Sequence, residues 1–288
     1  MKRVAITTDS NSGISQNQGR ELGVHVLPMP FMMDGALYYE DITLTQTEFY
    51  AKLAEGAAIS TSSPSVQDLT ELWDGLLQTY DEIVHIPMSS GLSSSFATAH
   101  CIADEYGGKV QAADNKRISV TQKQSVLDAL ALAEAGLCAA DIKRRLEDNA
   151  AQSSIYIMVD TMTYLKKGGR VTPVAAAIGT VLNIKPVLQI NGDRLDAFAR
   201  VKGVKPAKRA MLDAMRKDFD GRFAQDAAAG RMTLWVAYTY DLEAAESFRQ
   251  EALEAFPGYD IPIEPLSLSV SCHIGPGALA LASARRLG

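Results

Sequence analysis

Seven residues, Ser89-Ser90-Gly91-Leu92-Ser93-Ser94-Ser95, set five serines around one glycine. Hydroxyls donate hydrogen bonds without carrying charge, and glycine lets a ligand come close to the backbone. The run follows Glu82-Ile83-Val84-His85-Ile86-Pro87, an apolar stretch that reads as a buried strand. It precedes a segment with Phe96, Ala99, Ala103 and Tyr106 at helical spacing. The serines therefore fall where a strand ends and a helix begins. At such a place the first N–H groups lack intrahelical partners and the helix dipole is positive, so an anion is favoured. A surface N-cap needs one serine, not five.

A second hydroxyl-rich connector is Ile59-Ser60-Thr61-Ser62-Ser63-Pro64-Ser65, with Ser63 expected to cap a helix that begins at Pro64. A third polar turn, Asp9-Ser10-Asn11-Ser12-Gly13, ends the first strand. His273, before the turn Gly275-Pro276-Gly277, is either a loop histidine satisfied by hydrogen bonds or a donor to an anion. Lys166-Lys167-Gly168-Gly169-Arg170 reads as cations at a helix C-terminus with glycine past the cap. Arg170 lies beyond the glycines and is free to reach a phosphate or a partner protein.

Other chemistries fit less well. Ser93 after Gly91 hints at a nucleophile elbow, but Ser95 stands where G-x-S-x-G needs glycine. Ser93 and His273, with Asp9 as an orienting acid, keep a hydrolase or acyltransferase open. A small phosphate ligand is a further alternative for the serine loop. Gly275-Pro276-Gly277-Ala278-Leu279-Ala280 matches G-x-G-x-x-A, yet only eight residues follow, too few for a second strand with a ribose-binding acid. No P-loop is present, and Cys101, Cys138 and Cys272 are scattered, so neither a cofactor nor a metal is expected.

The elements that position these loops alternate. Strands at 4–8 and 82–87, an extended stretch at 24–30, helices at 66–80, 96–106 and 122–135, and a short strand near 109–111 argue for a parallel sheet with covered faces. From about residue 150 the pattern changes. Strand 154–159, a short helix capped by Asp160, a small-residue helix 173–182, and a hairpin of 184–190 and 195–200 around Asn191-Gly192 suggest antiparallel pairing. Helices near 205–219 and 242–256 flank strand 233–237, and a last strand 263–270 leads past residue 278 into a terminal helix. The expected fold class is α/β with two α/β domains. Residues 1–150 form a parallel-sheet half carrying the hydroxyl loops. Residues 151–288 form a mixed α+β half whose last helix packs back on the first domain.

The chain has 288 residues and a formal net charge of −6. No basic stripe exists for nucleic acid. Asp9 interrupts the first apolar run and no long uncharged apolar stretch occurs, so neither a signal peptide nor a membrane span is expected. The odd, scattered cysteines suit reduced thiols in a cytoplasm.

Taken in order, Thr7-Thr8-Asp9-Ser10, Thr61-Ser62, Ser90-Gly91-Leu92-Ser93, Leu165-Lys166-Lys167-Gly168-Gly169-Arg170, Ile184-Lys185-Pro186 and His273-Ile274-Gly275-Pro276-Gly277-Ala278 resemble the DegV family of bacterial fatty-acid-binding proteins. The likeness spans nearly the whole chain. It implies two α/β domains with a long-chain fatty acid between them. It also implies a carboxylate held by Thr61, Ser62, Ser93 and Ser94, with Gly91, His273 and Gly275 beside it. The family's best understood members are non-catalytic carriers that present the carboxylate to a separate ATP-dependent kinase, which makes acyl phosphate. Arg170 and Lys167 are then expected to face that kinase, and transient contact with a membrane surface fits the same role. Two departures stand out. Ser94-Ser95 replaces a frequent Gly-Thr, and Asn115 follows Asp114 where Ser or Thr is frequent.

Overall fold

The computed structural model describes residues 2–169, 172, 184–190 and 195–287. The chain divides into two compact units, Met1–Ala151 with Leu287–Gly288, and Gln152–Arg286.

In the first unit, β1 (Val4–Asp9), α1 (Gln16–Leu22) and β2 (Val24–Leu27) are followed by three short strands, β3 (Pro30–Met33), β4 (Ala36–Tyr39) and β5 (Ile59–Thr61). Then come α2 (Gln46–Ala54, between β4 and β5), α3 (Val66–Leu76), β6 (Glu82–Ile86), α4 (Ser95–Ala103), β7 (Val110–Ala112), α5 (Ser119–Glu134) and α6 (Ala139–Asp148). The main sheet has the order β2-β1-β6-β7, all parallel. Its central strands are apolar on both faces, as a sheet covered twice requires. Ile6, Val84 and Ile86 pack with Val126, Ala129 and Ile142 on one face. Ala5 and Ile83 pack with Leu69, Trp73, Ala99 and Ile102 on the other.

Several local expectations change. The stretch 24–30 breaks into β2 and β3, and β3 pairs antiparallel with both β4 and β5 in a separate sheet. Helix α3 is capped by Ser65, not Ser63. Ser65 Oγ accepts from Asp68 N at 3.0 Å, and the Asp68 carboxylate accepts from Ser65 N at 3.1 Å. This reciprocal pair satisfies two donors that a cap at Ser63 leaves open. Helix α3 ends at Leu76, and α4 gives way after Ala103 to a 3-10 turn, Asp104–Tyr106.

The second unit contains β8 (Ser153–Met158), α7 (Thr163–Gly168), β9 (Ile184–Ile190), β10 (Leu195–Lys202), α8 (Val204–Asp220), α9 (Ala224–Ala228), β11 (Met232–Tyr238), α10 (Leu242–Ala255), β12 (Ile263–Pro265), α11 (Leu268–Ile274) and β13 (Leu279–Arg285). Its sheet runs β10-β9-β8-β13-β11-β12, antiparallel except for the β11–β12 pair. Met211, Met215 and Phe219 of α8 and Phe248 of α10 pack with Val236 and Leu281 of the sheet.

The hairpin strands β9 and β10 pair antiparallel, while the Asn191-Gly192 turn and the helix expected at 173–182 lie outside the described residues. Met162, not Asp160, occupies the N-cap of α7, and Asp160 instead forms an ion pair with Lys185. The end of the chain departs furthest. Residues 268–274 form helix α11, with Ser267 Oγ accepting from Val270 N at 3.4 Å. The segment after Gly277 is strand β13, inserted between β8 and β11, not a terminal helix. Leu287 alone joins the first unit's described part, its N–H donating to Asp128 Oδ1 at 3.1 Å.

Candidate functional site

The root of the serine loop is fixed by a buried acid. Asp9, at the end of β1, accepts from Met88 N at 2.8 Å, Asn11 N at 3.0 Å and Gln122 Nε2 at 3.2 Å. Parallel pairing of β1 with β6 brings Asp9 to the place where the chain leaves β6. Burial pushes the Asp9 carboxyl up to about 6, against the stabilising bonds from Met88, Gln122 and Asn11. Beside it, burial pushes His85 down to about 3, and its Nδ1 lies 2.9 Å from Thr7 Oγ1. Asp9 thus pins the turn that follows β6.

Beyond Met88 the chain turns on itself. Leu92 N and Ser93 N donate to Ser89 O at 3.0 and 3.2 Å, and Gly91 N donates to Ser89 Oγ at 3.2 Å. Ser93 Oγ lies 2.8 Å from Ser95 Oγ and accepts from Ser95 N at 3.1 Å. Such a partner orients the Ser93 hydroxyl but does not abstract its proton.

The second hydroxyl connector meets the first. Ser63 Oγ lies 3.1 Å from Ser94 Oγ. Thr61 stands opposite Phe31 in the β3–β5 register, on the side of the small sheet where Phe31 is buried against Tyr38 and Phe49. Thr61 and Ser93 are half-buried, while Ser62, Ser94 and Gly91 are exposed. The first unit therefore collects Thr61, Ser62, Gly91, Ser93 and Ser94 into two linked loops flanked by aromatic packing. Asn115, the departure after Asp114, donates from Nδ2 to Pro87 O at 3.1 Å and braces the same turn.

His273 and Gly275 belong to the second unit, at the end of α11. The His273 ring lies so near Gly168 that a Cβ there would collide with Nδ1. Gly275 has φ of +77°, and a Cβ on it would collide with the Tyr164 ring. Two glycines thus let an imidazole and a phenol seat closely between α7 and α11. Lys167 is exposed on α7, and Arg170 lies outside the described residues. Among the described residues no group of three or more His, Cys, Asp or Glu is arranged to hold a metal, and no helix is long and apolar enough to cross a membrane.

Sequence reasoning missed the bracing residues Lys116 and Gln122. Gln122 Nε2 reaches Thr8 Oγ1, Asp9 Oδ1 and Ile86 O at 3.1, 3.2 and 3.1 Å. Its only sequence signal is an amide on the buried face of a helix that follows the sheet.

Known proteins resemble this chain over its whole length. A family model described as "Uncharacterised protein, DegV family" matches residues 3–286. A DegV domain-containing protein of Deinococcus radiodurans is 29% identical over 280 residues, covering 97% of each chain. The solved structure of a Thermus thermophilus DegV family protein, described for its fatty acid binding, superposes with a TM-score of 0.88 at 30% identity, covering 98% of this chain and 99% of that one. DegV from Bacillus subtilis, described as a fatty acid binding protein, shares the fold with a TM-score of 0.85 at 24% identity, over 99% of this chain and 100% of that one. The chain belongs to the DegV family.

Proposed function

We propose that this protein is a non-catalytic carrier that binds a long-chain fatty acid, its carboxylate held by the hydroxyls of Thr61, Ser62, Ser93 and Ser94 and by backbone at Gly91. The observation that carries the reading is the junction of the two hydroxyl loops through Ser63 and Ser94, with Ser93 Oγ and Ser95 Oγ 2.8 Å apart beside it. Uncharged donors at a helix start suit a carboxylate. The acyl chain supplies most of the affinity, since each buried CH₂ contributes about 0.8 kcal/mol. The similarity to the Thermus thermophilus protein supports the same ligand class.

The reading extends to a cytoplasmic protein that presents the carboxylate to a separate ATP-dependent kinase for acyl-phosphate formation, with Lys167 and Arg170 facing the kinase and His273 and Gly275 serving the head group. Organic extraction of the purified protein followed by mass spectrometry tests the ligand. A stoichiometric fatty acid is expected. A bare polypeptide that also fails to bind oleate on titration would falsify the reading. For the kinase step, Arg170→Ala should keep oleate binding while losing acyl phosphate in a coupled assay with kinase and ATP. Equal loss in both assays refutes that assignment.

A further inference from the structure

The segment after β7 grips the serine loop from behind. Ser89 N donates to Arg117 O at 2.8 Å, and Ser90 N donates to Asp114 Oδ1 at 3.3 Å. Lys116 Nζ lies 2.7 Å from Asp114 Oδ2 and donates to Ser90 Oγ at 2.5 Å. Lys116 itself holds φ of +55°, a left-handed backbone conformation unusual for a long side chain. Its ammonium is thus held at Ser90 by an acid that also holds the Ser90 backbone.

We infer that Ser90 is a further donor to the ligand's carboxylate, with Lys116 as the residue that positions its proton. An ammonium carries donors only, so Ser90 Oγ must be the acceptor in this contact. With that lone pair taken, the Ser90 proton is directed away from Lys116 and remains available to an anion. Donation into a hydroxyl also strengthens the hydroxyl's own donation, as in any hydrogen-bond chain. Asp114 compensates the Lys116 charge, so the pair supplies direction rather than net attraction. Ser90 adjoins Gly91, where the proposed site brings backbone to the head group. The inference rests on the fatty-acid reading and adds a donor to it.

The test is calorimetric titration of oleate and of methyl oleate into the full chain and into Ser90→Ala, Lys116→Met, Lys116→Arg and the Ser90→Ala/Lys116→Met double variant. Ser90→Ala and Lys116→Met should each weaken oleate about tenfold, the scale of one hydrogen bond to a charged group. The double variant should be no weaker than Ser90→Ala alone, because Lys116 acts through Ser90. Lys116→Arg, which keeps a donor, should recover most of the affinity, and methyl oleate should change little throughout. Additive losses in the double variant, equal losses for the ester, or parent-like oleate binding in both single variants overturn the inference. Failure of the parent to bind oleate overturns the fatty-acid reading beneath it.

Discussion

Asp9 and His85 oppose each other in the acid stability of the first unit. Folding raises the Asp9 carboxyl from 3.8 to about 6 and lowers the His85 imidazole from 6.5 to about 3, burial being the leading cause in each. Between pH 4 and 6 native Asp9 keeps a proton that the unfolded chain releases, so its contribution to stability is lost as pH rises. Native His85 stays neutral while the unfolded chain takes up a proton, so its contribution is lost as pH falls. Each slope is about 1.4 kcal/mol per pH unit, with opposite sign, and the parent should be nearly flat across this window as far as these two groups go. Asp9→Asn removes one of them. From pH 4 to pH 6 the variant should then gain about 2 kcal/mol relative to the parent's own change over the same span. Urea unfolding followed by Trp73 fluorescence reads this directly, because the Trp73 ring lies 5.4 Å from His85. A Trp235→Phe background silences the second tryptophan. Carboxylates common to both proteins cancel in the difference. Parallel pH profiles for variant and parent would show that Asp9 is not held protonated by burial and would refute the argument.

Thr61→Ala and Ser93→Ala should each weaken oleate roughly tenfold to a hundredfold while sparing methyl oleate, measured by titration. Unchanged oleate affinity in both would move the carboxylate elsewhere. Ser65→Ala removes the cap of α3 and should cost about 1 kcal/mol in urea unfolding, with ligand affinity at saturating protein unaffected. Gly168→Ala forces the His273 ring from its seat; the His273 ring resonances should shift in NMR spectra, whereas unaltered resonances would mean the backbone yields instead.

The serine loop was legible because its chemistry is written in residue types: five hydroxyls and a glycine between an apolar run and a helical repeat. The hairpin strands were legible from the Asn191-Gly192 dipeptide between two extended runs. The end of the chain was not. Within the expected strand 263–270, Leu266-Ser267-Leu268-Ser269-Val270 alternates with period two, yet every one of these five residues is buried. With no solvent-facing side, alternation does not discriminate, and the cap at Ser267 with tertiary packing decides for helix. Leu279 through Ala284 is likewise buried throughout, and its alanines favour helix locally, but pairing with β8 and β11 overrides that preference. The small sheet escaped notice because β3 and β4 are four residues each, β3 beginning at Pro30 just after Pro28. Lys116 reaches the serine loop at Ser90, and Gln122 reaches Thr8 and Asp9, partners distant in sequence that spacing does not reveal.

The placement of β13 sets the order in which the second unit can assemble. During synthesis β8, β9 and β10 emerge early and β11 and β12 later, and among the described strands only β13, at residues 279–285, hydrogen-bonds to both groups. A chain halted before Leu279 holds two sheet fragments with four unpaired edges, two more than the complete sheet, each a template for association with another chain. The first unit's parallel sheet, by contrast, draws all its strands from the first 112 residues. Maturation should therefore be staged, with the hydroxyl loops organised early and the second sheet closing as a late, cooperative, long-range event.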